Sequence, residues 1–327
     1  MSSIGARTGR HVGPVPVVVA TVVAVVVLQW VLVLLFGWPA ARSAPHDLPL
    51  AIYGPQQTTS ALTASVDTKS PGSFTWTTVS SADAARDAVL DRQVYAALVL
   101  EPSGVTLYTA SAASPAVAAS LATAVPAAVT AAQPQAPVTV TDLAPNPPGD
   151  PHGAALGVVL IPLMITSLAA GALVGLLAPS RMRRLALLAG YAVAAGLLST
   201  LAVQTMLGAL TGSWIANAAV SALACLAVAS ITAGLAAAFR VGGVAIAAGV
   251  VFFFGVPFSG ASSAWQLLPP PWGVVGQALP AGALATATRS VAFFSGAGGT
   301  VALATLSAWA VVGVALTAVV RGARRPA

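Results

Sequence analysis

Charge is the scarcest feature of this sequence: 7% of its 327 residues are Asp, Glu, Lys or Arg, against about 25% in ordinary soluble domains. A water-soluble fold cannot cover its surface with so few. Acid is confined to one window. All eight carboxylates (Asp47, Asp67, Asp83, Asp87, Asp91, Glu101, Asp142 and Asp150) fall between positions 47 and 150, and every charge beyond them is an arginine. Residues 39–151 carry four basic and eight acidic side chains, net −4, while the remainder carries ten basic and none acidic. Two environments, one aqueous and one of lipid, account for that split. The overall +6 averages over unlike halves. Its arginines stand singly or in threes at the ends of apolar runs and form no basic face, which argues against nucleic acid as a partner.

Cysteine is nearly absent too. Cys225 alone excludes an internal disulfide and a cysteine-based metal site, and within its apolar run it reads as a small buried hydrophobe. The single lysine, Lys69, lies in the acidic window, and no Gly-x-x-x-x-Gly-Lys-Ser/Thr element exists. The chain is therefore no P-loop ATPase by itself. The long apolar runs contain no ionisable residue in their interiors, so the usual carriers of ion coupling are missing. No nucleophile–base set is visible, and the chain reads as a non-enzyme without a cofactor. Asp83, Asp87 and Asp91 recur at helical spacing; they read as a solvated acidic face, with a metal site as the sharper alternative. His46 and His152 flank the acidic window.

What is abundant is hydrophobicity, at 57%. About 20 apolar residues cross the ~30 Å hydrocarbon core of a bilayer, and six segments qualify: Val15–Trp38, Ala154–Ala178, Leu185–Leu210, Trp214–Phe239, Val241–Phe258 and Val301–Val320. The expected fold is a membrane all-α bundle of six transmembrane helices, with a small extracytoplasmic α/β domain inserted between helices 1 and 2. Its parts are a cytoplasmic tail (1–14), a first span (15–38), the α/β domain (39–151), a five-helix membrane domain (152–320) and a second tail (321–327). Short cytoplasmic loops are rich in Lys and Arg. With both termini inside, that face receives Arg7, Arg10, Arg240, Arg321, Arg324, Arg325 and the topology-determining cluster Arg181, Arg183 and Arg184. The first span is longer than a signal-peptide core and lacks a clean cleavage site after it, so it is expected to be retained in the plasma membrane.

Within the acidic window, strand-like and helix-like stretches alternate. Strands are predicted at Leu48–Tyr53, Phe74–Val79, Tyr95–Leu100, Val105–Ala110 and Val138–Leu143. Helices are predicted at Gln56–Val66, Ser81–Asp91 with Ser81 as N-cap, and Ser114–Ala132 with an interruption at Pro126. Pro102-Ser103-Gly104 should turn a hairpin, and Asn146–Pro151 is a stiff linker back to the membrane.

The later spans are rich in Gly, Ala and Ser, which allow close helix approach, and Gly171-x-x-x-Gly175 is one small-xxx-small pair. Polar residues at depth are few. Ser199, Gln204, Thr205 and Asn217 are the candidates for a transport path or for interhelical hydrogen bonds, with Thr200 and Ser221 nearby. Residues 259–300 are too apolar for a free loop and too broken by Pro and Gly for one span. Two short re-entrant or interfacial helices meeting near Pro280, with Arg289 in the second, would satisfy the backbone.

Ser81-Ala82-Asp83-Ala84-Ala85-Arg86-Asp87-Ala88-Val89-Leu90 followed by Tyr95-Ala96-Ala97-Leu98-Val99-Leu100 is similar to a helix and strand of a known family. So are Leu107-Tyr108-Thr109-Ala110, Leu279-Pro280-Ala281-Gly282 and Arg289-Ser290-Val291-Ala292-Phe293-Phe294. On these soft patterns, spread over most of the chain, the sequence resembles the long-extracytoplasmic-domain branch of the ABC-2 type permease superfamily, and within it the YhgE/Pip phage-infection-protein-like members. The resemblance implies a homodimer of permease subunits exporting an amphiphilic or lipid-like substrate, in contact with membrane lipids and served by a separate cytoplasmic ATPase. One departure stands out. Such exporters dock the ATPase through an amphipathic N-terminal helix and an acidic loop, whereas here the corresponding loop is Pro179–Arg184 and carries no acid. The alternative is a YhgE/Pip-like envelope protein that works without ATP as receptor, scaffold or accessory in surface assembly.

Overall fold

The computed structural model describes residues 14–132 and 135–320. Apart from Pro14, the expected tails at 1–14 and 321–327, with Arg7, Arg10, Arg321, Arg324 and Arg325, lie outside the described residues. The first element is α1 (Pro14–Ala41), which runs on through Pro39. Valine is a poor helix former in water, but a backbone in lipid must satisfy its own hydrogen bonds, and a helix does so locally. Its side chains are exposed almost throughout, Trp30 at 63%. Only an apolar medium suits such a surface.

Next comes the α/β layer: β1 (Leu48–Tyr53), α2 (Gln56–Lys69), β2 (Phe74–Thr78), α3 (Ala82–Leu90), β3 (Ala96–Glu101), β4 (Gly104–Thr109), α4 (Pro115–Ala132) and β5 (Val138–Asp142). The five strands form one sheet in the order β2-β1-β3-β4-β5. β1 pairs parallel with β2 and β3, and β4 parallel with β5, so α2, α3 and α4 are crossovers. Only β3 and β4 are antiparallel, joined by Pro102-Ser103. Helices cover both faces, as parallel strands require. Ala85, Ala88 and Val89 of α3 pack over Ala51, Ala97 and Val99. Leu62, Val117 and Leu121 cover Leu50, Ile52, Leu98 and Leu107 on the other side. Ser81 caps α3, its hydroxyl accepting from Ala84 N at 3.0 Å. At Pro126 the outcome differs from expectation: α4 continues through it, held on the sheet by Val117, Leu121 and Val125 despite the lost hydrogen bond and ring clash that a proline brings.

The helical half comprises α5 (Ala155–Leu177), α6 (Arg181–Thr200) with a π-helical extension Leu201–Met206, and α7 (Trp214–Phe239). Then follow α8 (Val241–Ala248) with a π-helical extension Gly249–Phe254, a 3-10 turn Trp265–Leu267, α9 (Trp272–Gln277), α10 (Pro280–Phe293) and α11 (Thr300–Val319). Among the described residues five helices are long and apolar enough to cross a membrane: α1, α5, α6 with its extension, α7 and α11. The expected fifth span, Val241–Phe258, is a shorter apolar helix, Val241–Phe254. At ~1.5 Å per residue it reaches about 20 Å, short of the ~30 Å hydrocarbon core.

Helix α7 is the hub. Alanine, serine and glycine let its neighbours approach closely. A Cβ on Gly175 of α5 would sit 2.5 Å from Ala233 O and 2.8 Å from Ala236 Cβ, and one on Gly196 of α6 would sit 2.6 Å from Ala218 O. Gly234 of α7 faces Leu316 of α11 in the same manner. By contrast α1 stands apart, touching the bundle through Phe36 and Phe252, whose ring centroids are 6.0 Å apart.

Candidate functional site

Polar groups gather where α6 gives way to its π-helical turn. Such turns release carbonyls from the regular ladder and recur at functional sites. Two expected residues meet here: Asn217 Nδ2 donates to Gln204 Oε1 at 2.9 Å and to Thr211 O at 2.8 Å. Gln204 Nε2 donates in turn to Gly212 O at 3.1 Å, and Thr211 Oγ1 to Ala292 O at 2.7 Å. This network ties α6, the following loop, α7 and the end of α10. Ser199 turns its hydroxyl back onto Gly196 O at 3.2 Å. Thr205 points outward and accepts from Trp214 Nε1 at 3.2 Å. The four candidates therefore form no single site. Two buried atoms of the region, Thr200 Oγ1 and Asn217 Oδ1, have no hydrogen-bond partner.

The second cluster lies where the α/β layer meets the segment 259–300. Pro280 starts α10 at its first turn, with Leu279 as N-cap, a place where the missing proline N–H costs nothing. Arg289, one turn from the other end, is 5% exposed. Its Nη1 donates to Gly260 O at 3.0 Å and Ser263 O at 3.2 Å, and its Nη2 to Ala261 O at 2.5 Å. A guanidinium is always charged, so these carbonyl dipoles serve where a carboxylate would be expected. Arg92, from the turn after α3, donates to Thr286 O at 3.2 Å and to Ser290 Oγ, and lies 5.3 Å over the Phe294 ring. Tyr95 donates its hydroxyl to Gln266 Oε1 at 2.8 Å. Burial pushes its phenol up, outweighing the lowering effect of Arg92.

The segment holds the sheet from both sides. Ala264 and Leu267 join the core under α4, whereas Phe293, Phe294 and Ala297 join the core under α3. Backbone bonds Ala44 N to Leu267 O at 3.0 Å and His46 N to Gln266 O at 2.9 Å complete the clamp. Sequence reasoning picked Arg289 but not its partners, which are 26 to 29 residues away.

At the opposite ends of the helices, Ser180 caps α6 and the arginines occupy its first turn. Arg181 and Arg183 are exposed. Arg184 is 4% exposed; its Nε donates to Ala178 O and its Nη1 to Val320 O, both at 3.3 Å. It thus satisfies the last carbonyls of α5 and α11, the helix ends that attract cations. Asp150 does the converse at the start of α5, its two oxygens accepting from Ala154 N at 2.9 Å and Ala155 N at 2.8 Å. Among the described residues no group of three His, Cys, Asp or Glu side chains is placed to hold a metal ion. Comparisons with protein-family models, curated proteins and solved structures found no match to this chain.

Proposed function

We propose that this chain is an ABC-2-like permease subunit of the plasma membrane, YhgE/Pip-like in type, that exports an amphiphilic or lipid-like substrate as a homodimer. In this reading the α/β layer lies outside the cell, both termini lie inside, and residues 241–258 cross as a sixth, short span. Supporting it most directly is the clamp of the 259–300 segment on both faces of the sheet. Through α10, which packs on the buried face of α7, movement of the helices would be transmitted to the outer domain without slack. The π-helical turns of α6 and α8 offer places for such movement.

A second reading has its own observation. Only Ala178–Ser180 connect α5 to α6, and Arg184 ties that turn to the end of α11. Little protrudes there for an ATPase to grasp, which favours an ATP-independent receptor, scaffold or accessory in surface assembly. Affinity purification in mild detergent separates the two. A Walker-motif protein recovered at near-equal amounts is the expected result for the exporter; repeated recovery of the chain alone would replace that reading with the second.

A further inference from the structure

A small cavity of about 30 Å³ opens between α6, α7 and α10 against an apolar wall of α5, with Thr200, Ser221 and Thr288 on its wall beside Ser199, Leu160 and Val203. Each helix contributes one of the first three hydroxyls. All three residues are buried: Thr200 is 1% exposed, Ser221 9% and Thr288 5%. Thr200 Oγ1 has no partner in the protein. A buried hydroxyl left unmade costs about 1–3 kcal/mol, and lipid can supply no partner in place of water. Apolar cavities stay dry, but a polar one of more than ~10–15 Å³ accommodates a water molecule, which typically makes about three hydrogen bonds. The volume meets that description, and the three hydroxyls give a water the partners it needs on a wall that is otherwise largely apolar.

We infer that the cavity is a hydration site: a water molecule, bonded to Thr200 Oγ1, Ser221 Oγ and Thr288 Oγ1, bridges α6, α7 and α10 inside the bundle. Chloride and other anions find no charged group on this wall. The three hydroxyls offer both lone pairs and protons, as water requires. The site lies one helical turn from Asn217 along α7 and directly precedes the π-helical turn of α6. It holds together the place where α6 departs from regular geometry, whatever substrate the protein handles.

Thr200→Val, which keeps the side chain's shape, tests this through its sign. A bridging water that loses one of three partners should lower the melting temperature of the purified full chain in nanodiscs by about 2–4 °C. Thr200→Ser, which keeps the hydroxyl, should recover most of that loss. In a dry cavity, Thr200→Val would remove an unpaired hydroxyl and leave the melting temperature unchanged or raised, which overturns the proposal. Exchanging sodium for choline distinguishes the remaining occupant: a wild-type shift that Thr200→Val abolishes would assign the site to a sodium ion instead. High-resolution density of the wild-type protein gives the reading that needs no variant. A peak within hydrogen-bond distance of all three hydroxyls is expected, and an empty cavity refutes it.

Discussion

Arg289 carries a full charge in a nearly inaccessible place, and what makes that tolerable is geometry rather than an opposite charge. Its guanidinium fork reaches three carbonyls in the turn Gly260–Ser263. Lysine could not do so, since an ammonium on a flexible stem has no rigid fork. Arg289→Lys should therefore cost up to about 3–5 kcal/mol, the cost of leaving a buried charge without its partners. Arg289→Met, which removes the charge and retains apolar volume, should cost less than Lys if desolvation dominates. Fluorescence-detected thermal unfolding in detergent orders the two. Equal effects of Lys and Met would mean that the fork matters less than packing. The pairing was invisible in the sequence for a physical reason: backbone carbonyls carry no residue signature. Arg184 and Asp150 show the same blindness. One read as a marker of the cytoplasmic side and the other as an acid in a linker, yet each caps a helix end through backbone groups. Ser81, by contrast, was legible as a cap because its partner is three residues away.

Elements were more legible than contacts. The five strands fall within a residue or so of where β-branched and alternating patterns placed them, and the hairpin turn at Pro102-Ser103 follows from turn chemistry. Apolar length located α5, α6 and α7 but said nothing of the π-helical turn that ends α6. Nor did it show that α7 is the hub. That role rests on small residues, and Gly171 and Gly175 both face α7. In lipid the force between helices is mainly van der Waals packing, so the closeness of approach decides the affinity. Gly175→Leu would press a branched side chain against Ala233 O and Ala236 and push α5 off α7. Overpacking of this kind costs about 1–3 kcal/mol. Gly190, by comparison, has nothing within 4 Å of a would-be Cβ. Gly190→Leu on the lipid-facing side of α6 should leave thermal stability near wild type. A comparable loss in both variants would show that α7 is not held by this glycine contact.

For the whole molecule, the open quantity is the number of crossings. Among the described residues five helices have the length, and the stretch 241–258 falls short as a regular helix, yet the packing gives it a direction. α5 and α7 run parallel, because Gly171 faces Ala229 and Gly175 faces Ala233; α11 also runs with α7, since Gly313 faces Ser230 and Ile231 while Leu316 faces Gly234. α7 and α11 therefore start at the same side, next to the α/β layer, where Thr211 of the α6–α7 loop bonds Ala292. After α7 ends at Phe239, the chain has to return to that side before α11 can begin. Gly243 lies against Leu235, while Phe258 lies against Gly276 in the segment that clamps the sheet. In the proposed six-span arrangement residues 241–258 make the return journey, and a bilayer thinned locally or met by the aromatic residues Phe252–Phe254 would accommodate a helix of about 20 Å. In a Cys225→Ser background, single cysteines at exposed positions report on each side: Arg183→Cys and Arg240→Cys should react only after the inner face is opened to an impermeant maleimide. Asp87→Cys and Ser262→Cys should react in intact cells. If Arg240→Cys and Ser262→Cys label from the same face, the short helix turns back within the membrane. The α/β layer and the end of α11 would then have to be reassigned to sides that the packing of α11 along α7 does not allow.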